Sequence, residues 1–198
     1  MHKQLITDRG IRYAACSLDN FEIEYESQLK AVKALRGFLC DLGAHLVATN
    51  GGGLILIGPP GTGKDHLMMA AMTAAILDHG LSVVWRDGLR MYHKLKAAIS
   101  KDRVEEEIAK YVKPQILAIS DPLPPKDELT SYEMACLRDI IDQRYSLGLS
   151  TWITTNVQSQ EEAKQKLTGP LLGRIGHNTT EVNCVWPGYR KPLTLSTC

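Results

Sequence analysis

The chain has 198 residues, 44% of them hydrophobic and 23% charged, and 23 Lys and Arg against 22 Asp and Glu leave a net charge of +1. That length suits one domain and buries a sizeable core without disulfides or metal staples. Ordinary apolar content and near-zero charge exclude a disordered chain and a strongly basic nucleic-acid binder, so any nucleic-acid contact must come from a local patch.

The first element is a helix over 27–48, where Leu29, Val32, Leu35, Phe38, Leu39 and Leu42 recur at steps of three and four. Asn50-Gly51-Gly52-Gly53 breaks it, and Leu54-Ile55-Leu56-Ile57 follows as a strand apolar on both faces, which suits the centre of a parallel sheet. A Gly/Pro loop over 58–63 leads into a helix over 64–79 that ends at Gly80. The alternation repeats with a strand over 82–85, helices over 88–100 and 103–111, and a strand over 115–120. Pro122, Pro124 and Pro125 stiffen the next loop. Thr130 and Glu133 have capping-box spacing and open a helix to about Tyr145. A strand over 151–155, a helix over 159–167 and a strand over 181–186 complete the chain. Five strands separated by helices predict an α/β fold, a parallel sheet covered on both faces, with functional loops at the carboxyl ends of the strands.

No apolar signal segment opens the chain, and no run of about 18 apolar residues offers a membrane span. Cys16, Cys40, Cys136, Cys184 and Cys198 form no C-x-x-C pair and read as reduced thiols of a cytoplasmic protein. We expect a linker over 1–24 and one core domain over 25–198.

The strongest motif is Gly58-Pro59-Pro60-Gly61-Thr62-Gly63-Lys64, a G-x-x-x-x-G-K phosphate loop with an apolar strand before it and a helix after it. Glycines let backbone N–H groups turn inward around a phosphate, and the helix N-terminus adds a favourable dipole. Lys64 would reach the β- and γ-phosphates as a point charge. The motif expects Ser or Thr next, for Mg²⁺, but this chain has Asp65.

P-loop ATPases hold Mg²⁺ with an acidic residue at the end of a second apolar strand. Here that strand is Ile116-Leu117-Ala118-Ile119-Ser120-Asp121. If Asp121 fills the neighbouring water-activating slot, Ser120 occupies the metal slot. Asp65 and Ser120 would then exchange hydroxyl and carboxylate and together bind Mg²⁺. Two alternatives stand beside this: both positions have decayed and hydrolysis is lost, or Asp121 itself is the metal-side acid.

With these motifs the chain resembles the IstB/DnaC-like ATPases of the AAA+ class, the bacterial and phage replicative helicase loaders and transposition helpers. The likeness runs over about 12–190. It is carried by Arg12-Tyr13-Ala14-Ala15-Cys16-Ser17-Leu18-Asp19-Asn20-Phe21, by the phosphate loop with Asp65-His66-Leu67, and by Ser131-Tyr132-Glu133 with Ile140-Ile141-Asp142-Gln143-Arg144-Tyr145. Thr151-Trp152-Ile153-Thr154-Thr155-Asn156, Leu171-Leu172-Gly173-Arg174-Ile175 and Trp186-Pro187-Gly188-Tyr189-Arg190 complete it.

The resemblance implies a three-layer P-loop NTPase sandwich, ATP and Mg²⁺ as cofactors, and a nucleotide site over 58–66 that includes His66. It implies that Asn156 senses the γ-phosphate and orients water; the alternative is a strand-end turn residue. It implies that Arg174 is an arginine finger acting on a neighbour's ATP in an ATP-bridged oligomer; the alternative is a surface ion pair. Only 12 residues follow Trp186, which matches lidless members, and only 57 precede the loop, so a helicase-gripping module is expected to be absent or on another chain.

A replicative helicase or a transposase is the implied partner, and single- or double-stranded DNA the implied substrate surface. Five Lys/Arg against Glu181 over 163–198 supply the local charge. The leading function is an ATPase acting in helicase loading or transposition. The alternative is a nucleotide-gated adaptor that binds ATP and hydrolyses it poorly or not at all. A small-molecule kinase is a third possibility, disfavoured because no Arg-rich lid lies between Arg103 and Leu147.

Overall fold

In the computed structural model, which describes residues 2–124, 128–157 and 160–189, the apolar runs form strands. These are β1 (Leu54–Ile57), β2 (Val83–Asp87), β3 (Ile116–Ser120), β4 (Ser150–Thr155) and β5 (Thr180–Asn183). All pairs are parallel and the order is β2-β3-β4-β1-β5. The helices are α1 (His2–Arg9), α2 (Glu26–Cys40), α3 (Leu42–Ala48), α4 (Lys64–Leu77), α5 (Gly88–Ile99), α6 (Val104–Val112), α7 (Ser131–Ser146), α8 (Gln160–Lys166) and α9 (Gly169–Gly176).

Strand side chains alternate between faces, and in β3 both sets are buried and, apart from Ser120 at the strand's end, apolar. Ile116 and Ala118 join Leu54, Leu56, Trp85 and Trp152 in a core closed by α2 and α4. Leu117 and Ile119 face the other way, into a core closed by α5, α7 and α9. The result is the three-layer α/β sandwich that the sequence predicts. Among the described residues no helix follows β5, and none is long and apolar enough to cross a membrane. Arg190, Lys191 and Cys198, like Pro125 and Ser159, lie outside the described residues.

Local chemistry explains two boundaries directly. Gly80 has φ +65° and ends α4 as expected. Thr130 and Glu133 form the capping box: Glu133 N–H donates to Thr130 Oγ1 at 3.3 Å, and Thr130 N–H donates to Glu133 Oε2 at 2.9 Å.

Four departures are informative. The helix expected over 27–48 is two helices, broken at Asp41 with φ −136° and ψ 50°. Leu42 is fully buried and keeps the apolar face in step, which hides the break in the sequence. The last strand stops at Asn183, and Trp186 beyond it turns inward to donate Nε1–H to the Thr62 carbonyl at 2.9 Å. Residues 169–176 form α9, with Pro170 in its first turn. The stretch expected as a linker carries α1 and a 3-10 turn, Ile11–Tyr13. Leu5 buries that segment, and an ion pair of 2.6 Å joins Asp8 to Arg86 of β2.

Candidate functional site

The loop over 58–63 joins β1 to α4 at the carboxyl edge of the sheet. Gly61 and Gly63 have φ +86° and +87°, so side chains there would be strained. A Cβ on Gly63 would also lie 2.8 Å from the Phe21 ring. Aromatic residues from both ends of the chain brace this loop. Phe21 meets His66, Trp186 and Tyr189 edge to face at centroid distances of 5.3, 6.2 and 5.9 Å. Tyr189 N–H donates to the Gly61 carbonyl at 3.0 Å, and Thr62 Oγ1 donates to the Pro59 carbonyl at 3.0 Å. His66 Nε2 lies 2.9 Å from the Ser17 carbonyl and 3.0 Å from Asn20 Oδ1, pinning the segment that carries Phe21. The cleft has a volume of about 510 Å³, with Pro60, Gly61, Gly63 and Lys64 on one wall and Arg12 and Phe21 on another.

At its floor the expected residues meet. Lys64 Nζ donates to the carbonyls of Gly58 and Pro59, each at 2.8 Å, and to Asn156 Oδ1 at 2.9 Å. Asn156 Nδ2 in turn donates to Asp121 Oδ1 at 3.0 Å. The helix start, the end of β4 and the end of β3 thus deliver a Lys–Asn–Asp chain to one point. Burial pushes the Asp121 carboxyl above its usual range, the charge of Asp65 adds to the rise, and Lys64 opposes it. Asp121 also has φ +43°, a left-handed conformation uncommon for an L-residue.

Asp65 and Ser120 are brought together as the exchange idea requires, with Ser120 Oγ donating to Asp65 Oδ1 at 3.2 Å. Thr154 Oγ1 donates to the same oxygen at 3.4 Å. The cation beside them comes from the chain itself: Arg9 Nη2 donates to Asp65 Oδ2 at 2.8 Å. Among the described residues, no three His, Cys, Asp or Glu side chains cluster as a metal site. With the Arg9 guanidinium and the Tyr13 hydroxyl on one Asp65 oxygen and the Ser120 and Thr154 hydroxyls on the other, the Asp65, Ser120 and Asp121 set does not fit a divalent cation held at Asp65. A phosphate does fit: the glycine loop, Lys64 and the start of α4 are the donors it needs.

Arg174 is not in this cleft. It pairs with Asp142 of α7 and borders Gly51, Leu149 and Thr179. Three contributors went unseen in the sequence. Arg9 acts across 56 residues, Trp85 donates Nε1–H to Ser120 Oγ at 2.8 Å, and Thr154 faces Asp65. No spacing rule reaches Arg9; the alternation along β2 and β4 does put Trp85 and Thr154 on the α4 face. A separate apolar cavity of about 390 Å³, lined by Ile55, Leu137, Leu167 and Ile175, lies on the opposite face of the sheet.

Known proteins share the fold and the sequence family of this chain. The family described as IstB-like ATP binding protein matches residues 13–195. A replicative helicase loader DnaC of Buchnera aphidicola subsp. Acyrthosiphon pisum is 28% identical over 189 residues, 92% of this chain and 73% of that one. A Sinorhizobium fredii protein described as an insertion-sequence ATP-binding protein is 34% identical over 146 residues, 71% of this chain and 47% of that one. The crystal structure of the DnaC helicase loader superposes with a TM-score of 0.70 at 23% identity, covering 88% of this chain and 99% of that one, a likeness of fold. A glycine phosphate loop on a parallel sheet, matched over nearly its whole length, places the chain in the IstB-like ATP binding protein family, among the AAA+ P-loop proteins of DnaC type.

Proposed function

We propose that the chain binds ATP in the cleft and hydrolyses it, and that this cycle is coupled to assembly on DNA with a replicative helicase or a transposase. The observation that carries the reading is the Lys64–Asn156–Asp121 chain at the mouth of the glycine loop. Lys64 would exchange its loop carbonyls for phosphate oxygens. Asp121, its carboxyl raised by burial and by Asp65, would take the proton of the attacking water, and Asn156 would orient that water through its amide. Magnesium enters only as the nucleotide's own counter-ion, because Arg9 already occupies Asp65. Arg174 would act on a neighbouring subunit's ATP, a role its place outside its own cleft supports.

Nucleotide binding and phosphate release test this together. Lys64→Ala should abolish binding. Asp121→Asn should bind ATP yet release phosphate on the order of 10²–10⁴ times more slowly, the usual worth of a general base. If the native chain binds ATP and releases no phosphate in any assembly, it is the nucleotide-gated adaptor instead. Co-sedimentation with helicase or with transposase chooses between the two roles. Filter binding to DNA with and without ATP should show affinity that falls with salt; salt-insensitive or absent binding removes the DNA role.

A further inference from the structure

Asp65 places a carboxylate beside the glycine loop, where the phosphate-loop motif carries a hydroxyl. A fixed negative charge there repels the nucleotide's phosphates unless a cation cancels it. Arg9 is such a cation, 2.8 Å from Asp65 Oδ2. A guanidinium suits the position, because its charge is permanent and it is weakly hydrated, so burial costs it less than an ammonium.

The contact is built in several independent ways. The Arg9 side chain is only 12% exposed. Its guanidinium lies 4.0 Å above the Trp85 ring and 5.2 Å from the Tyr13 ring, a two-sided aromatic seat. Trp85 supports Asp65 from both directions: its ring carries Arg9, and its Nε1–H donates to Ser120 Oγ, which itself donates to Asp65 Oδ1. Helix α1 is fixed by other means, through buried Leu5 and through the Asp8–Arg86 ion pair to β2. Both oxygens of Asp65 are therefore engaged, Oδ1 by the hydroxyls of Ser120 and Thr154 and Oδ2 by Arg9 with the Tyr13 hydroxyl at 3.4 Å.

We propose that Arg9 is the resident cation of the nucleotide site: it neutralises Asp65 in place of a divalent metal, so that ATP binds this chain equally well with or without Mg²⁺. The proposal rests on the cleft being an ATP site. It makes Arg9 a positioning residue that acts through Asp65.

ATP affinity, measured calorimetrically in Mg²⁺ and in EDTA, provides the test. The native chain should change by less than about twofold on chelation. Arg9→Gln should bind ATP about tenfold more weakly in EDTA and recover part of the loss with Mg²⁺. Arg9→Gln combined with Asp65→Thr should bind ATP–Mg²⁺ as tightly as the native chain and be weakened by EDTA. A native affinity that falls about tenfold on chelation overturns the proposal. So does tighter binding by Arg9→Gln, which would make α1 a plug instead. Mn²⁺ titration without nucleotide, followed by electron paramagnetic resonance, is an independent readout. Arg9→Gln should gain about tenfold in Mn²⁺ affinity as Asp65 loses its cation, and equal affinity in both proteins overturns the assignment. If neither protein binds ATP but the Mn²⁺ gain appears, the ATP reading fails and Arg9 remains the cation on Asp65.

Discussion

Asp121 is strained in two respects, in its backbone at φ +43° and in its carboxyl, which burial and Asp65 hold above the usual range. An acid whose folded pKa is raised binds its proton more tightly folded than unfolded, so stability falls as pH rises through that window. Asp121→Asn removes the ionised form, so it should melt at a higher temperature than the native chain near neutral pH. The gain should shrink as pH falls toward 3.8, the ordinary aspartate value, and thermal melts across pH read this directly. The same shift sets the acid limb of hydrolysis, which should lie above the normal carboxylate range and vanish in Asp121→Asn. A native chain whose hydrolysis survives down to the ordinary aspartate range would remove Asp121 as the base. Gly63→Ala meets a different constraint, a left-handed φ and a Phe21 ring 2.8 Å away. It should lower stability by about 1–2 kcal/mol and weaken ATP binding in step, because loop and aromatic brace move together.

Among the elements, α7 carries the most buried ion of the fold's polar framework. Arg144 is fully buried and donates to the carbonyls of Tyr111 and Pro114 at 2.8 and 2.9 Å, and to Thr151 Oγ1 at 3.0 Å. It ties the end of α6 and the starts of β3 and β4 to α7. Arg144→Met leaves those carbonyls dry, so urea unfolding should show a loss of about 3 kcal/mol with ATP affinity little changed. Thr130→Ala, at the exposed cap of the same helix, should cost only about 1 kcal/mol. The contrast shows what was legible in the sequence. Thr130 and Glu133 act over three residues and were readable; so were the phosphate loop and the apolar runs. The Arg144 carbonyl cage spans about thirty residues and follows no periodicity. Asp41 stayed hidden because Leu42 keeps the helical apolar face in step across the break. Arg9 stayed hidden because its partner lies 56 residues away.

At the scale of the molecule, the two ends of the sheet have different chemistry. The glycine loop, Asp121 and Asn156 lie at the carboxyl ends of β1, β3 and β4. Arg174 borders Gly51, Leu149 and Thr179, which precede β1, β4 and β5, and so lies toward the amino ends. The four residues of β1 alone span on the order of 13 Å, beyond the reach of one guanidinium turning from Asp142 into its own cleft. A second copy stacked end to end would bring Arg174 to another subunit's phosphates, and only then would hydrolysis be complete. Arg174→Ala should therefore bind ATP normally while phosphate release falls on the order of 10³-fold, the usual scale of an arginine finger. Lys64→Ala should fail for the opposite reason, keeping the finger and losing the nucleotide. Each variant alone should be inactive, and mixing them should restore phosphate release, because each supplies what the other lacks. Mass in solution should rise with ATP in the native chain. No recovery in the mixture, or a strict monomer in every nucleotide state, would leave Arg174 as a partner of Asp142 alone.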